Sequence, residues 1–253
     1  MWVVGDVHGY VDKLRAALLQ AGLIDDAASW RGGQATLAVL GDLVDRGPDG
    51  VGVIELLMRL EAEASTASGK LVAVLGNHDV LLLGACTFGP AALGRPGART
   101  DWRANGGHHT DLERLTPAHV AWLRQLPAMA LEQDHLLVHA DAGLYLEYGS
   151  SVEAVNQTVA QILGGRDRQA WNLLIERFTG HRAFLARDGE ALLERYLATY
   201  GGRRLVHGHS PLARFTGQAP ESVREPYVYR EGRCINADPG HYLGGPGFCA
   251  RLA

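Results

Sequence analysis

Five short apolar runs punctuate the chain, and each ends on a turn rich in chemistry. Val3-Val4 leads into Gly5-Asp6-Val7-His8-Gly9, and Ala38-Val39-Leu40 into Gly41-Asp42-Leu43-Val44-Asp45-Arg46-Gly47. Ala73-Val74-Leu75 leads into Gly76-Asn77-His78-Asp79, Leu136-Leu137-Val138 into His139-Ala140-Asp141, and Leu205-Val206 into His207-Gly208-His209. Short runs rich in β-branched residues and bounded by turn residues predict strands buried on both faces, with function on the loops at their C-terminal ends. Between them the apolar spacing changes to that of helices. Val11–Ala21 carries Leu14, Ala17, Leu18 and Ala21 on one face and closes on Gly22, and Val51–Ala64 repeats the pattern. Thr116-Pro117 opens another helix, and Val152–Leu163 and Gly189–Tyr200 predict two more. Further short strands are expected at Ala128–Leu131, Tyr227–Arg230 and Arg233–Ala237. Gly84–Gly107 is weakly patterned and predicts a long surface loop over the site. The strand–helix alternation of the first 80 or so residues predicts βαβ units and a mostly parallel sheet. No linker or repeat divides the chain, so one α/β domain over residues 1–253 is expected.

Composition narrows the choice of function. Of 253 residues, 47% are hydrophobic and 21% charged, a globular balance and not a disordered one. The 28 acids outnumber the 24 bases, which leaves no basic excess for gripping a nucleic-acid backbone. Lys13 and Lys70 are the only lysines, which argues against a Schiff-base lysine or a Walker A loop. Cys86, Cys234 and Cys249 are scattered without a CxxC, so neither a disulfide framework nor a thiolate zinc site is expected, and all three are expected as inert core residues. No apolar run nears the roughly 18 residues that span a bilayer, and no secretory signal precedes the first motif. The expectation is a cytoplasmic protein without membrane or nucleic-acid partners.

The turns themselves carry the chemistry. Asp6 and His8 stand two apart on an extended segment and so point to one side; the plain alternative is a turn acid and a surface histidine. Asp42, Asp45 and Arg46 crowd one loop after an apolar strand, which is costly unless they find partners. His139 or His209 alone would pass for a packed core histidine. Together the turns converge at one sheet edge, where open α/β sheets bind ligands. The resulting set is Asp6, His8, Asp42, Asn77, His139 and His209, oxygens and imidazoles without a thiolate, which suits Mn, Fe or Zn. Six ligands are too many for one catalytic ion with an open position and about right for two ions sharing a carboxylate. Two dications against Asp6, Asp42 and a bridging hydroxide leave net positive charge, and with Arg46 this asks for an anion such as phosphate. A dinucleotide-binding loop is excluded, because Gly5–Gly9 lacks a third glycine and places a carboxylate where phosphate would sit.

The ordered set GDVHG, GDLVDRG, GNHD, VHAD and GHSP, spanning residues 5 to 211, resembles the calcineurin-like metallophosphoesterases, and within them the bacterial phosphoprotein phosphatase branch. Trp102–Thr110 and the tail Val228–Phe248 are similar to the same branch. The resemblance implies a four-layer α/β/β/α sandwich, two mixed sheets flanked by helices, the βαβ start supplying one sheet and the short C-terminal strands the other. It implies a metal-dependent phosphomonoester hydrolase, a serine/threonine protein phosphatase, with a diadenosine tetraphosphatase-like hydrolase as the alternative. The substrate would be a phosphorylated protein or a small phosphoester. Asp6 and His8 would hold a first divalent ion, Asp42 would bridge, and Asn77, His139 and His209 would hold a second, with manganese first and iron or zinc as alternatives. His78 would be the general acid, Asp45 would orient it, and Arg46 and Asn77 would meet phosphate. A second phosphate arginine would lie between the last two metal histidines, where Arg182 has the most fitting spacing among Arg177, Arg182 and Arg187. Three departures stand out: GNHD replaces GNHE, VHAD stands where many members have HGG, and Pro211 takes the second histidine position of GHxH. His207 reads as a packed histidine or as support for His209, and His108, His109, His119, His135 and His181 as surface or packing residues. A decayed, non-catalytic phosphate-binding module would show a lost ligand or a lost His78, and neither is lost.

Overall fold

The computed structural model describes residues 1–90 and 100–252. Its strands are β1 (Trp2–Val4), β2 (Thr36–Val39), β3 (Lys70–Ala73), β4 (Met129–Glu132), β5 (His135–Val138), β6 (Arg204–His207), β7 (Tyr227–Tyr229), β8 (Cys234–Asn236) and β9 (Ala250–Arg251). The longer helices are α1 (Val11–Gln20), α2 (Gly50–Thr66) and α3 (Asn77–Phe88) in the first half. They are followed by α4 (His109–Arg114), α5 (Pro117–Gln125), α6 (Tyr145–Tyr148), α7 (Val152–Gly164), α8 (Arg168–Phe178), α9 (Gly189–Tyr200) and α10 (Leu212–Thr216).

Two mixed sheets result. One runs β3-β2-β1-β9 and the other β4-β5-β6-β8-β7. In the first, β1, β2 and β3 are parallel and β9 joins antiparallel to β1. In the second, β5, β6 and β8 are parallel, flanked by antiparallel β4 and β7. Side chains alternate along each strand, so each sheet buries two faces. Val3, Ala38, Leu40, Val74, Leu137, Val206 and Ile235 pack together between the sheets. Val4, Leu37, Val39, Leu136, Val138 and Leu205 face the other way, into the cluster that holds Leu14, Leu18, Ile54, Leu57, Val155, Val159, Leu193 and Tyr196 of the helices. This is the expected sandwich of two sheets with helices outside. Among the described residues no helix is long and apolar enough to cross a membrane.

Five points depart from expectation. The chain's last strand, β9, was not foreseen and adds to the first sheet, so the C-terminal strands do not all serve the second. Asn77-His78-Asp79 is not a free turn but the first turn of α3. Asp79, three residues beyond Gly76, accepts the Gly76 N–H at 2.8 Å and the Leu43 N–H at 2.9 Å, which starts the helix and ties it to the second turn. The amphipathic α8 also went unread; Trp171, Leu174, Ile175 and Phe178 form its buried face. Cys86 is exposed, not core; Cys234 is buried and all three cysteines are free. Of the loop expected at Gly84–Gly107, residues 91–99 lie outside the described residues, Gly84–Phe88 belong to α3, and Trp102 is buried.

Candidate metal centre and active site

Every motif turn follows the carboxyl end of a parallel strand, and the two sheets bring these ends together. Asp6 follows β1, Asp42 follows β2, Asn77 follows β3, His139 follows β5 and His209 follows β6. The His209 N–H donates to Asp6 Oδ1 at 2.9 Å, across the gap between the sheets. The turns interlock too closely for side chains at their glycines: a Cβ on Gly76 would lie 2.1 Å from the Asp42 nitrogen, and one on Gly208 would lie 2.2 Å from Asp6 Oδ1. Backbone strain concentrates here. His8, Asp42, Asp45, Arg46, Arg182 and His209 all hold positive φ, between 48° and 67°, a conformation non-glycine residues keep only where their surroundings enforce it.

The protonation pattern is set by backbone carbonyls. His139 Nδ1 lies 2.7 Å from the Leu40 carbonyl and His8 Nδ1 lies 3.1 Å from that of Val44. Each therefore donates from Nδ1 and turns a bare Nε2 into the site. His209 is the reverse, with Nε2 3.4 Å from the Thr179 carbonyl and Nδ1 facing inward. Burial draws His139 and His209 down to about 3, so both are neutral. His139 Nε2 then stands 3.1 Å from His209 Nδ1, 3.0 Å from Asn77 Oδ1 and 3.3 Å from Asp42 Oδ1. The lone pairs of two neutral imidazoles and an amide oxygen converge with the Asp42 carboxylate, an arrangement that suits a cation. Asp42 faces both ways. While its Oδ1 meets His139, its Oδ2 lies 3.5 Å from His8 Nε2, and the His78 N–H holds Oδ1 at 2.9 Å. Asp6 Oδ2 lies 3.9 Å from the same His8 nitrogen. His8–Asp42–His78 and Asp42–His139–His209 thus form two groupings of buried or half-buried donors joined at Asp42. The donor set fits two divalent ions sharing one carboxylate.

The charge balance agrees. Asp6, Asp42, Asp45, Asp79, Asp141 and Asp238 are all buried near this end of the molecule. Burial, and then the charges of Asp238 and Asp42, push Asp6 well above the usual carboxylate range. Arg46 answers part of this: its Nη1 is 3.0 Å from His8 Nε2 and its guanidinium lies 4.1 Å over the Tyr242 ring.

Behind these groups stands a relay. His78 Nδ1 is 2.9 Å from Asp45 Oδ2, and the other oxygen of Asp45 accepts the Trp102 Nε1–H at 2.9 Å. His78 Nε2 is buried without a partner, in a ring 4.8 Å from that of His8. Burial lifts Asp45 and draws His78 down to about 4. Both shifts express one fact, that a dry pocket disfavours separated charge. A protonated pair keeps a proton on His78 Nε2 whether the second sits on Nδ1 or on the carboxylate. Trp102 is 2% exposed; the sequence marked it only as the first residue of the family-like stretch Trp102–Thr110 and gave it no role. Removing its N–H by Trp102→Phe leaves a buried carboxylate oxygen unpaired. A hydrogen bond to a charged group contributes about 1.5–3 kcal/mol, so denaturant unfolding should show a stability loss of that order, and an unchanged midpoint would show the contact to be idle.

Arg182, His181, Arg214 and Tyr242 line one cavity of about 200 Å³ with Asp42, Arg46, His209 and Ser210. Arg182 is brought there as expected, held by its N–H to Asp141 Oδ2 at 2.8 Å and by Nη2 to the Arg214 carbonyl at 2.7 Å. Arg177 instead pairs with Glu147 at 3.0 Å. Asp141 explains the unusual VHAD motif: its second oxygen accepts from Ser210 Oγ at 2.8 Å, so it clamps the Arg182 loop to the His209 turn. His207 is a packed histidine, with its two ring nitrogens at the Gly208 carbonyl (2.9 Å) and the Tyr229 hydroxyl (2.8 Å). Arg214 carries no motif around it; Asp141 lies in VHAD and Asp238 and Tyr242 in the family-like tail, but none of the four was given a role from the sequence.

Residues 1–213 match the family model of the calcineurin-like phosphoesterases. The chain belongs to that family. Its members are metal-dependent phosphoric ester hydrolases that hold divalent cations at a dinuclear site. Among curated relatives, it is 38% identical to Shewanella-like protein phosphatase 2 of Arabidopsis thaliana over 78 residues, 31% of this chain and 20% of that protein. It is 32% identical to a symmetrical bis(5'-nucleosyl)-tetraphosphatase of Proteus mirabilis over 143 residues, 56% of this chain and 44% of that protein. The matched region thus spans less than half of either relative. The fold is shared with the cold-active protein-tyrosine phosphatase of a psychrophilic Shewanella, at a TM-score of 0.72 and 19% identity, over 96% of this chain and 72% of that one.

Proposed function

We propose that this chain is a phosphomonoesterase acting on phosphoserine or phosphothreonine in proteins. Asp6, His8, Asp42, Asn77, His139 and His209 would hold two divalent ions, manganese foremost. Cations held there supply Lewis acidity toward the phosphoryl group and toward the attacking water. Arg46 and Arg182, with the Asn77 amide, bind and orient the phosphate, and Arg46 reaches it by leaving His8. His78 delivers a proton from Nε2 to the departing oxygen, while Asp45 and Trp102 hold the ring in place.

The size of the cavity carries the choice of substrate. About 200 Å³ admits a phosphoryl group and a short side chain, whereas sites that enclose larger ligands run to roughly 300–1,000 Å³. Among the described residues its only phenol or indole wall is Tyr242, and Arg46 already lies 4.1 Å over that ring, which disfavours stacking of adenine there. The protein-phosphatase name of the 38%-identical relative supports the same reading. One observation favours a nucleotide substrate instead: Arg46, Arg182 and Arg214 give three guanidiniums, enough for a chain of phosphates. Specificity constants on phosphoserine and phosphothreonine peptides, a phosphotyrosine peptide and diadenosine tetraphosphate, all with Mn²⁺, decide between them. The Ser/Thr peptides should be the best substrates. A preference for phosphotyrosine would change the residue class, and a preference for the dinucleotide would replace the proposal.

A further inference from the structure

We propose that Asp238 is a further member of the cation site, binding through its free carboxylate oxygen the hydration of the ion that Asp6 and His8 would hold. Asp238 lies two residues beyond β8, next to β6 in the second sheet, and the Ala237 N–H donates to the His207 carbonyl at 2.8 Å. Its backbone rests directly on the turn that carries Asp6. A Cβ on Gly5 would lie 2.1 Å from the Ala237 oxygen and 2.8 Å from the Asp238 Cα, so only glycine allows this approach. The carboxylate is pinned from one side: Oδ1 accepts the Gly240 N–H at 2.9 Å, and the Asp238 N–H donates to Asn236 Oδ1 at 2.9 Å. The other oxygen, Oδ2, is fully buried and has no partner among the described residues.

A buried carboxylate oxygen left unmatched is expensive, and this one stands beside a second buried carboxylate. Two such groups coexist only with a cation or a shared proton between them. Asp238 forms no ion pair with any described Lys, Arg or His, whereas Asp6 and Asp42 each lie within 4.0 Å of a site histidine. Asp238 is therefore set back from the ligand atoms, at a place where it reaches the ion's hydration and not a protein base. The first ion is also the one in need, with three protein donors (Asp6, His8, Asp42) against four for the second (Asp42, Asn77, His139, His209). The inference rests on the two-ion reading of the site.

The test uses the full chain, stripped of metal by chelation and titrated with Mn²⁺ alone. The wild type should bind two ions. Asp238→Asn keeps the volume and the acceptor for Gly240, so its metal-free melting temperature should hold or rise as repulsion with Asp6 is removed. One ion should bind as in the wild type and the other about 10–100-fold more weakly, with a correspondingly smaller melting shift on metal addition. Two ions bound with wild-type affinity would overturn the proposal in favour of a proton shared with Asp6. A fall in the metal-free melting temperature with undiminished metal-induced stabilisation would also overturn it, as a purely structural role. A wild type that binds fewer than two ions would defeat the two-ion reading itself, which separates that failure from this one.

Discussion

Replacing His78 with asparagine should abolish most activity on phosphoserine peptides, spare much of it on nitrophenyl phosphate, and leave the metal content intact. A serine oxygen leaves phosphorus as a strongly basic alkoxide unless a proton arrives with it, whereas nitrophenolate is stable unaided. Proton donation is worth about 10²–10⁴-fold, and the requirement grows with the basicity of the leaving group. His78 Nε2 has no other task, being buried and without a partner, while Nδ1 is held 2.9 Å from Asp45. The six residues proposed to hold the ions are unchanged, and Asp42 keeps its hydrogen bond, because that bond comes from the His78 backbone N–H and not from the ring. Turnover of both substrates with metal content in parallel is the measurement. Equal losses on the two would show that His78 stabilises the phosphoryl charge and does not donate a proton. Asp45→Asn should show the same bias more mildly, since it loosens the ring without removing it.

The second large effect belongs to Asp42. Its two oxygens face different nitrogens, 3.3 Å from His139 Nε2 and 3.5 Å from His8 Nε2, so it is the one side chain common to both groupings. Asp42→Asn retains an oxygen for the His78 N–H but halves the donor capacity and removes the shared charge. Metal-site electrostatics are worth several kcal/mol, and each 1.36 kcal/mol is tenfold in rate, so turnover should fall by roughly 10³-fold. Metal analysis should show both ions depleted, whereas Asp6→Asn should deplete one and His209→Asn the other. If Asp42→Asn loses no more metal than Asp6→Asn does, the carboxylate does not bridge.

Much of the site was legible because its residues sit in short contiguous motifs at strand ends. A buried strand has one composition, and a glycine followed by Asp, Asn or His at its carboxyl end has few purposes, so Asp6, His8, Asp42, Asn77, His139 and His209 could be grouped before their positions were known. The resemblance ordered them into two ions and singled out His78, Asp45, Arg46 and Arg182. The residues whose roles were illegible share a different property: each acts through long-range contacts that its local motif does not reveal. Trp102 meets Asp45 across 57 positions, and Asp141 meets Ser210 across 69. Asn77 was misjudged for the opposite reason. The helix start at Gly76 depends on Asp79, which also reaches back 36 positions to Leu43, so its capping role and its tertiary role looked like one acidic turn.

By itself, then, the sequence determined the alternation of buried strands and amphipathic helices and a candidate set of oxygen and imidazole donors at strand ends, because hydrophobic period and side-chain chemistry are local properties of the chain; the sandwich class came with the family resemblance. Only the tertiary structure decided the rest. It placed β9 beside β1, turned the inward-facing nitrogen of each imidazole into a lone pair by offering its other nitrogen a particular carbonyl, and laid the Ala237–Asp238 backbone against the turn of Asp6 through the glycine at position 5. These are matters of distance between segments far apart in the chain, and a hydrogen bond or a charge acts over a few ångströms of space whatever the separation along the backbone.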